Sequence, residues 1–248
     1  MTRIREYYDA YWTDGIDRWH AVADEVGTFE ERFLSPHISA GCRVLDFGCG
    51  DGAHVGGYLV SRGCQYVGLD ISEAAVSACR GKGLAAEVCK IDEPLPLSDG
   101  RFDLVVSFEV LEHLFSPADV LDELRRLLRP GGRLLGSVPN AVYLGNRVLM
   151  MLGHFSPGGT PATSLKKPWI DPHVRFFSKR TLSRLLKETG FQDIRVVGRP
   201  FSLTQLPVLY RAPRASSRIL DSMSAPLGPL GSLWPSLFSY RLYYSAQK

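Results

Sequence analysis

Three glycines at alternate positions, Gly48, Gly50 and Gly52, close the run Val44-Leu45-Asp46-Phe47-Gly48-Cys49-Gly50-Asp51-Gly52. An aliphatic, β-branched stretch leads into them, and a helix-compatible stretch from Ala53 to Val60 follows. Strand, tight glycine turn and helix N-terminus in that order point to an open α/β fold, which builds its ligand crevice in this way. The spacing narrows the ligand. A dinucleotide loop needs Gly-x-Gly-x-x-Gly to seat a pyrophosphate, and here the third glycine arrives one residue early. Asp46 and Asp51 flank the turn and repel a phosphate but not a cation. Asp70 follows Val67-Gly68-Leu69, at the distance where the end of a second strand meets a ribose. A ribose-bearing, positively charged ligand without phosphate fits these residues.

S-adenosylmethionine has that chemistry, and the sequence resembles a class I S-adenosylmethionine-dependent methyltransferase of the small-molecule type. Asp46 to Gly52 match the first motif of that family and Asp70 the second. Asp92 lies near the third, Phe108 to His113 match the segment after the fourth strand, and Leu128-Arg129-Pro130-Gly131-Gly132 match the turn before the fifth. The resemblance implies a doubly wound, mostly parallel seven-stranded sheet with an antiparallel last strand. It also implies a cofactor site made of Asp46, Phe47, Gly48, Cys49, Gly50, Asp70, Ile71, Asp92, Phe108 and Glu109, with S-adenosylhomocysteine as product. Asp92 is expected to accept from the adenine amine, with Glu93 as the alternative and a surface aspartate in a Pro-rich turn as the plain reading.

A chain of 248 residues that is 45% hydrophobic can bury one large core. The expected division is a helical cap over 1–40, the cofactor-binding core over 41–138, a substrate-covering insertion over 139–178, and the rest of the core over 179–248. No apolar run approaches a membrane span, and Met1-Thr2-Arg3-Ile4-Arg5-Glu6 lacks the apolar core of a signal peptide. Five cysteines, Cys42, Cys49, Cys64, Cys79 and Cys89, form no C-x-x-C pair and read as reduced, buried residues of a cytoplasmic protein. The net charge is only +3, but it is unevenly distributed. Residues 1–123 hold 10 basic and 22 acidic side chains (−12), and residues 124–248 hold 19 basic and 4 acidic (+15). The basic half suggests an anionic acceptor or surface, unless these charges simply sit on solvated helix faces.

Tyr8, Tyr11 and Trp12 fall at helical spacing and predict an N-terminal helix that packs on the body. A second helix is expected from Phe29 to Ile38, a third strand from Leu84 to Lys90, and a helix near Val148 to Leu152. Ser72 and Ser178 read as helix caps. The last strand is expected over Phe238 to Ala246, after an insertion from Gly198 to Leu237 in which Arg199, Arg211, Arg214 and Arg218 interleave with apolar residues. That interleaving suits peripheral contact with a lipid surface or an apolar dimer interface. The oligomeric state is left open.

Methyl transfer to a hydroxyl needs alignment and removal of a proton. His113 is the candidate base, because an imidazole titrates near neutrality. Glu109, Glu112 and His113 stand at i, i+3 and i+4 and would share one face of a helical turn. The Glu-x-x-Glu-His spacing resembles the metal motif of small-RNA 2′-O-methyltransferases and of ubiquinone-pathway O-methyltransferases, with His173 placed where the RNA enzymes supply a further His. The same run also occurs without a metal in this superfamily, and no metal is expected here. Trp12, Asn140, Tyr143, His173 and Arg175 are the expected acceptor-side residues. The function read from the sequence is O-methylation of a small-molecule, glycan or lipid-linked acceptor. An RNA 2′-O-methyltransferase and a non-catalytic S-adenosylmethionine-binding subunit are the alternatives. A nucleic-acid partner is not expected, because no separate nucleic-acid module is visible. The glycine spacing disfavours an NAD-dependent dehydrogenase.

Overall fold

The computed structural model describes residues 2–14, 28–90, 93–154, 172–201, 203 and 222–248. Their elements run α1 (Thr2–Asp14), α2 (Thr28–Leu34), β1 (Arg43–Phe47), α3 (Gly56–Ser61), β2 (Gln65–Asp70), α4 (Glu73–Gly81), β3 (Ala86–Val88), β4 (Phe102–Phe108), α5 (Pro117–Leu127), β5 (Leu128–Pro139), α6 (Leu144–Met151), α7 (Lys179–Glu188), β6 (Gln192–Gly198), α8 (Gly228–Leu233), α9 (Pro235–Phe238) and β7 (Arg241–Gln247). One seven-stranded sheet has the order β3-β2-β1-β4-β5-β7-β6. β1 to β5 pair in parallel, and β7 runs antiparallel to both β5 and β6. The expected fold class is the observed one.

The central strands read as continuous apolar runs because helices cover both faces of the sheet. On β4, Leu104 and Val106 face one core and Val105 the other. Tyr243 and Tyr244, adjacent on β7, are fully buried on opposite faces. One face packs against Leu121 and Leu124 of α5 and Leu182 and Leu186 of α7, and the other against Leu34 of α2 and Leu59 of α3. Both predicted caps are present. Ser72 Oγ accepts from Ala75 N at 3.2 Å, and Ser178 forms a reciprocal capping box with Thr181.

Several boundaries differ from expectation. The helix after the glycine loop begins at Gly56 rather than Ala53, because Val55 at φ −122 stands outside the right-handed helical region. The second helix stops at Leu34 and tightens into a 3-10 turn over Ser35–His37 around Pro36. The third strand is only Ala86–Val88, α6 begins earlier at Leu144, and the last strand begins later at Arg241. The 198–237 insertion is not all loop. α8 and α9 fold back on the end of β6, where a Cβ on Gly198 would stand 2.4 Å from the Gly231 carbonyl oxygen. Arg211, Arg214 and Arg218 lie outside the described residues, as does most of the loop before His173.

Candidate active site

The strand order reverses at β1, so the carboxyl ends of β1 and β4 border the crevice where open α/β sheets take ligands. The glycine loop follows β1. Gly48 and Gly50 adopt φ of +79 and +54, values that L-side chains rarely accept. Gly48 N and Cys49 N donate to Leu69 O at 2.7 and 3.0 Å, which ties the loop to the end of β2. Gly50 N donates to Asp70 Oδ2 at 2.8 Å and Ser72 N to Asp70 Oδ1 at 2.9 Å. Both Asp70 oxygens thus accept backbone N–H groups, with Ile71 as a further backbone donor. Burial pushes this carboxyl above the usual range, against the pull of its backbone donors, and Asp9 adds to the rise.

Asp46 sits in the β1–β2 packing. It is buried, and its Oδ2 accepts from Tyr66 Oη at 2.9 Å. Burial is the main reason that its carboxyl is pushed up to about 7; the Tyr66 hydroxyl works against the rise and Asp70 adds to it. Phe47 and Cys49 are also buried, Ile71 is half-buried, and Asp92 lies outside the described residues. Trp12 reaches the glycine loop. A Cβ on Gly50 would stand 2.6 Å from Trp12 Cζ2, and one on Gly48 would stand 2.3 Å from Val110 Cγ2. α1 is held in place by Arg5 on Glu73 and by Asp9, whose Oδ1 accepts from Ser72 Oγ at 2.6 Å and from Ala74 N at 3.3 Å.

Beyond β4 the expected shared face of Glu109, Glu112 and His113 does not form. Glu109 has φ +55 and the chain then makes only a 3-10 turn over Leu111–His113, so Glu109 points elsewhere. Its Oε1 accepts from Ser137 Oγ at 2.7 Å and its Oε2 pairs with Arg241 Nη2 at 3.2 Å. Burial works against the charge of Arg241, yet Glu109, Tyr240 and Tyr243 hold its pKa well above the ordinary arginine value. Tyr243 Oη in turn donates to Glu30, which also faces Arg199 at 3.8 Å. His54 completes this group, its ring edge-on to Phe108 at 5.3 Å; burial and then Arg241 hold its pKa below the ordinary histidine value.

Glu112, His113 and His173 do converge. The two imidazoles stack with centroids 4.7 Å apart and planes at 24°. The Nε2 atoms of His113 and His173 lie 3.8 and 3.9 Å from Glu112 Oε1. His113 Nδ1 stands 3.3 Å from Pro172 O, a carbonyl that only accepts, a contact that favours the proton on Nδ1. Tyr8 of α1 packs edge-on against His113 at 6.0 Å. Glu112 O accepts from Val174 N and Arg175 N at 2.9 and 3.0 Å, which brings the segment carrying His173 onto the turn. One ligand atom from each of the three residues lies within 4.8 Å of the others, so they could hold a divalent ion.

Two expected acceptor-side residues, Asn140 and Arg175, are placed as anchors, and Tyr143 is buried. Asn140 Nδ2 donates to the carbonyls of Pro235, Ser236 and Ser239 at 3.0, 3.3 and 2.7 Å, so it fastens α9 instead of facing the crevice. Tyr143 is buried beside Gly145. Arg175 is exposed, with Nη2 on Phe115 O, and it pins a loop. The residues missed in the sequence are Asp9, Glu30, His54, Arg241 and Tyr243. The one available signal was an arginine opening an otherwise apolar strand, Arg241-Leu242-Tyr243-Tyr244.

A family model described as a methyltransferase domain matches residues 5–196. A protein of Mycolicibacterium smegmatis named a probable S-adenosylmethionine-dependent methyltransferase is 34% identical over 158 residues, covering 63% of this chain and 54% of that protein. The chain thus spans about half the length of that relative. A ubiquinone biosynthesis O-methyltransferase of Thiobacillus denitrificans is 28% identical over 177 residues, covering 66% and 70% of the two chains. The crystal structure of a SAM-dependent methyltransferase from Archaeoglobus fulgidus superposes with a TM-score of 0.61 at 19% identity, over 89% of this chain and 92% of that one, a likeness of fold. The strand order and the glycine loop agree with that match, and the chain belongs to the methyltransferase-domain family.

Proposed function

We propose that this chain methylates an oxygen of a small-molecule acceptor, with His113 as the base. The observation that carries this reading is the contact of His113 Nδ1 with Pro172 O in the turn just past β4, which favours a proton on Nδ1 and basic character at Nε2. S-adenosylmethionine held by Asp70 and the glycine loop would supply an electrophilic methyl group, with its sulfur as the leaving thioether. Nε2 takes the hydroxyl proton, and stacked His173 with Glu112 keeps the ring in place. Asp70 receives the ribose hydroxyls, and Gly48 and Gly50 let the ligand approach the backbone. The ubiquinone-pathway relatives favour an oxygen acceptor. The +15 charge of residues 124–248 favours an acceptor, free or linked to lipid or glycan, that carries anionic groups. The five cysteines, free and buried, fit a cytoplasmic setting. Among the described residues no helix is long and apolar enough to cross a membrane.

A methyl-transfer assay over phenolic, glycan and lipid-linked hydroxyl acceptors tests this reading, and transfer only to nitrogen or to RNA overturns it. The convergence of Glu112, His113 and His173 supports a second reading, in which a divalent ion on these three orients the acceptor oxygen. Activity unaffected by a chelator keeps the first reading. Activity lost to the chelator and restored by Mg²⁺ or Zn²⁺ selects the second. Asp70→Ala is expected to weaken S-adenosylhomocysteine binding at least tenfold by calorimetry, since each charge-assisted hydrogen bond contributes roughly 1.5–3 kcal/mol. Unchanged affinity removes Asp70 from the site.

A further inference from the structure

One face of α1 lies over the crevice from the glycine loop to the turn after β4. Trp12 meets the loop at Gly50. Tyr8, four residues earlier, stands edge-on to His113 with ring centroids 6.0 Å apart. Positions four apart share a helix face, and four residues of helix rise about 6 Å. Asp9 and Arg5 fasten this helix to α4, so its placement does not rest on the two rings alone. With the nucleoside at Asp70 and Gly50 and the acceptor at His113, the sulfur and its methyl group fall between the Trp12 and Tyr8 ends. Tyr8 is half-buried, and the acids that reach its phenol are Asp70 at the end of β2 and Glu112 in the turn after β4. Burial first, then Tyr7, Glu112, Asp70 and Tyr11, push its pKa well above the ordinary tyrosine value. Tyr7 adds a second ring, edge-on at 5.3 Å. Arg5, one turn before Tyr8, is taken up by Glu73 and by Asp9, the latter at 3.9 Å. The Tyr8 end of the crevice is thus electron-rich, and it meets a cation better than a neutral group.

We infer that Tyr8 is a specificity-determining residue for the cofactor, its ring meeting the sulfonium of S-adenosylmethionine and so telling this cation from the uncharged thioether of S-adenosylhomocysteine. An aromatic ring attracts a cation through its quadrupole, which corresponds to roughly 2–30-fold in affinity. The neutral thioether keeps contact with the ring but not this attraction. The high pKa of the phenol has a use here as well. A phenolate next to an electrophilic methyl group would itself be methylated, whereas a protonated phenol is a weak nucleophile. Discrimination of this kind favours substrate over product, so the product leaves more readily once the charge is gone. None of this depends on which atom accepts the methyl. The inference rests on the nucleoside lying at Asp70 and the glycine loop, which binding to Asp70→Ala tests separately.

Calorimetric titration of the full chain with S-adenosylmethionine and with S-adenosylhomocysteine, in wild type, Tyr8→Met and Tyr8→Phe, tests the inference. Tyr8→Met keeps a long apolar side chain that suits a helix but removes the ring. It is expected to weaken S-adenosylmethionine binding about fivefold more than S-adenosylhomocysteine binding. Tyr8→Phe keeps the ring and is expected to hold the ratio of the two affinities within about twofold of wild type. An analogue with an ammonium group in place of the methylsulfonium should lose affinity in Tyr8→Met as S-adenosylmethionine does. If Tyr8→Met does not fold, Tyr8→Leu supplies the same readout. Equal weakening of both ligands in Tyr8→Met makes Tyr8 a packing residue of α1 and overturns the inference. Affinities unchanged in Tyr8→Met, or a ratio lost in Tyr8→Phe, overturn it too.

Discussion

Replacing His113 by Gln is expected to lower kcat by about a hundredfold or more while leaving S-adenosylhomocysteine affinity unchanged, as positioned proton transfer contributes roughly 10²–10⁴-fold. Gln retains a side chain of similar reach and can still meet Pro172 O, so the loop that carries His173 should stay in place. What it lacks is the basic Nε2. The variant therefore separates proton removal from packing, which His113→Ala would not. A weakly acidic hydroxyl should suffer most, and an acceptor already ionised at the assay pH should suffer least. Turnover within a few-fold of wild type for both kinds of acceptor would remove His113 from the chemistry.

The second large effect is expected at Arg241. Its pair with Glu109 is mostly buried, with side-chain exposures of 13% and 18%, so Arg241→Met leaves a carboxylate without its cation in a poorly hydrated place. Removing one partner of such a pair costs about 3–5 kcal/mol, which at roughly 2–4 °C per kcal/mol predicts a fall in Tm near 10 °C. The same pair, with Ser137 Oγ, holds Glu109 at φ +55, a conformation that costs about 1–3 kcal/mol and persists only when its surroundings fix it. The segment after β4 should therefore loosen as well. Glu109→Gln added to Arg241→Met is expected to recover most of the lost stability. Thermal unfolding of the single and double variants decides the matter: a single variant that melts with wild type, or a double variant as unstable as the single, would count against the pair.

What the sequence made legible was local or periodic. The glycine run, the apolar central strand and the caps at Ser72 and Ser178 declare themselves within a few residues, because turns, strands and caps each have their own short-range chemistry. The Glu30–Tyr243 bond joins residues 213 positions apart, and the Glu109–Arg241 pair crosses from β4 to β7; no spacing rule reaches so far. Glu109 was misdirected for a different reason. Counting i, i+3 and i+4 presumes a helical turn, and a left-handed φ on a glutamate is set by its partners, not by its own preference. Asn140 and Tyr143 were read as acceptor-facing from their place after β5, whereas the amide of Asn140 closes the backbone of α9.

Trp12 lies on the face of the loop that any ligand at Gly50 must also use. The helix that carries it is latched to the first turn of α4 by Asp9 and by the exposed pair of Arg5 with Glu73. Ser72 in that turn is also held by Asp70, so latch and ligand site meet at one helix N-terminus. On the proposed placement of the nucleoside at Asp70 and Gly50, its entry and departure are expected to require the latch to open, which makes the residence time of the product depend on α1 as much as on the pocket. An exposed ion pair is weakened by salt. Product exchange is therefore expected to quicken as ionic strength rises, and turnover with it where release is the slow step; stopped-flow release of S-adenosylhomocysteine at low and high salt checks this.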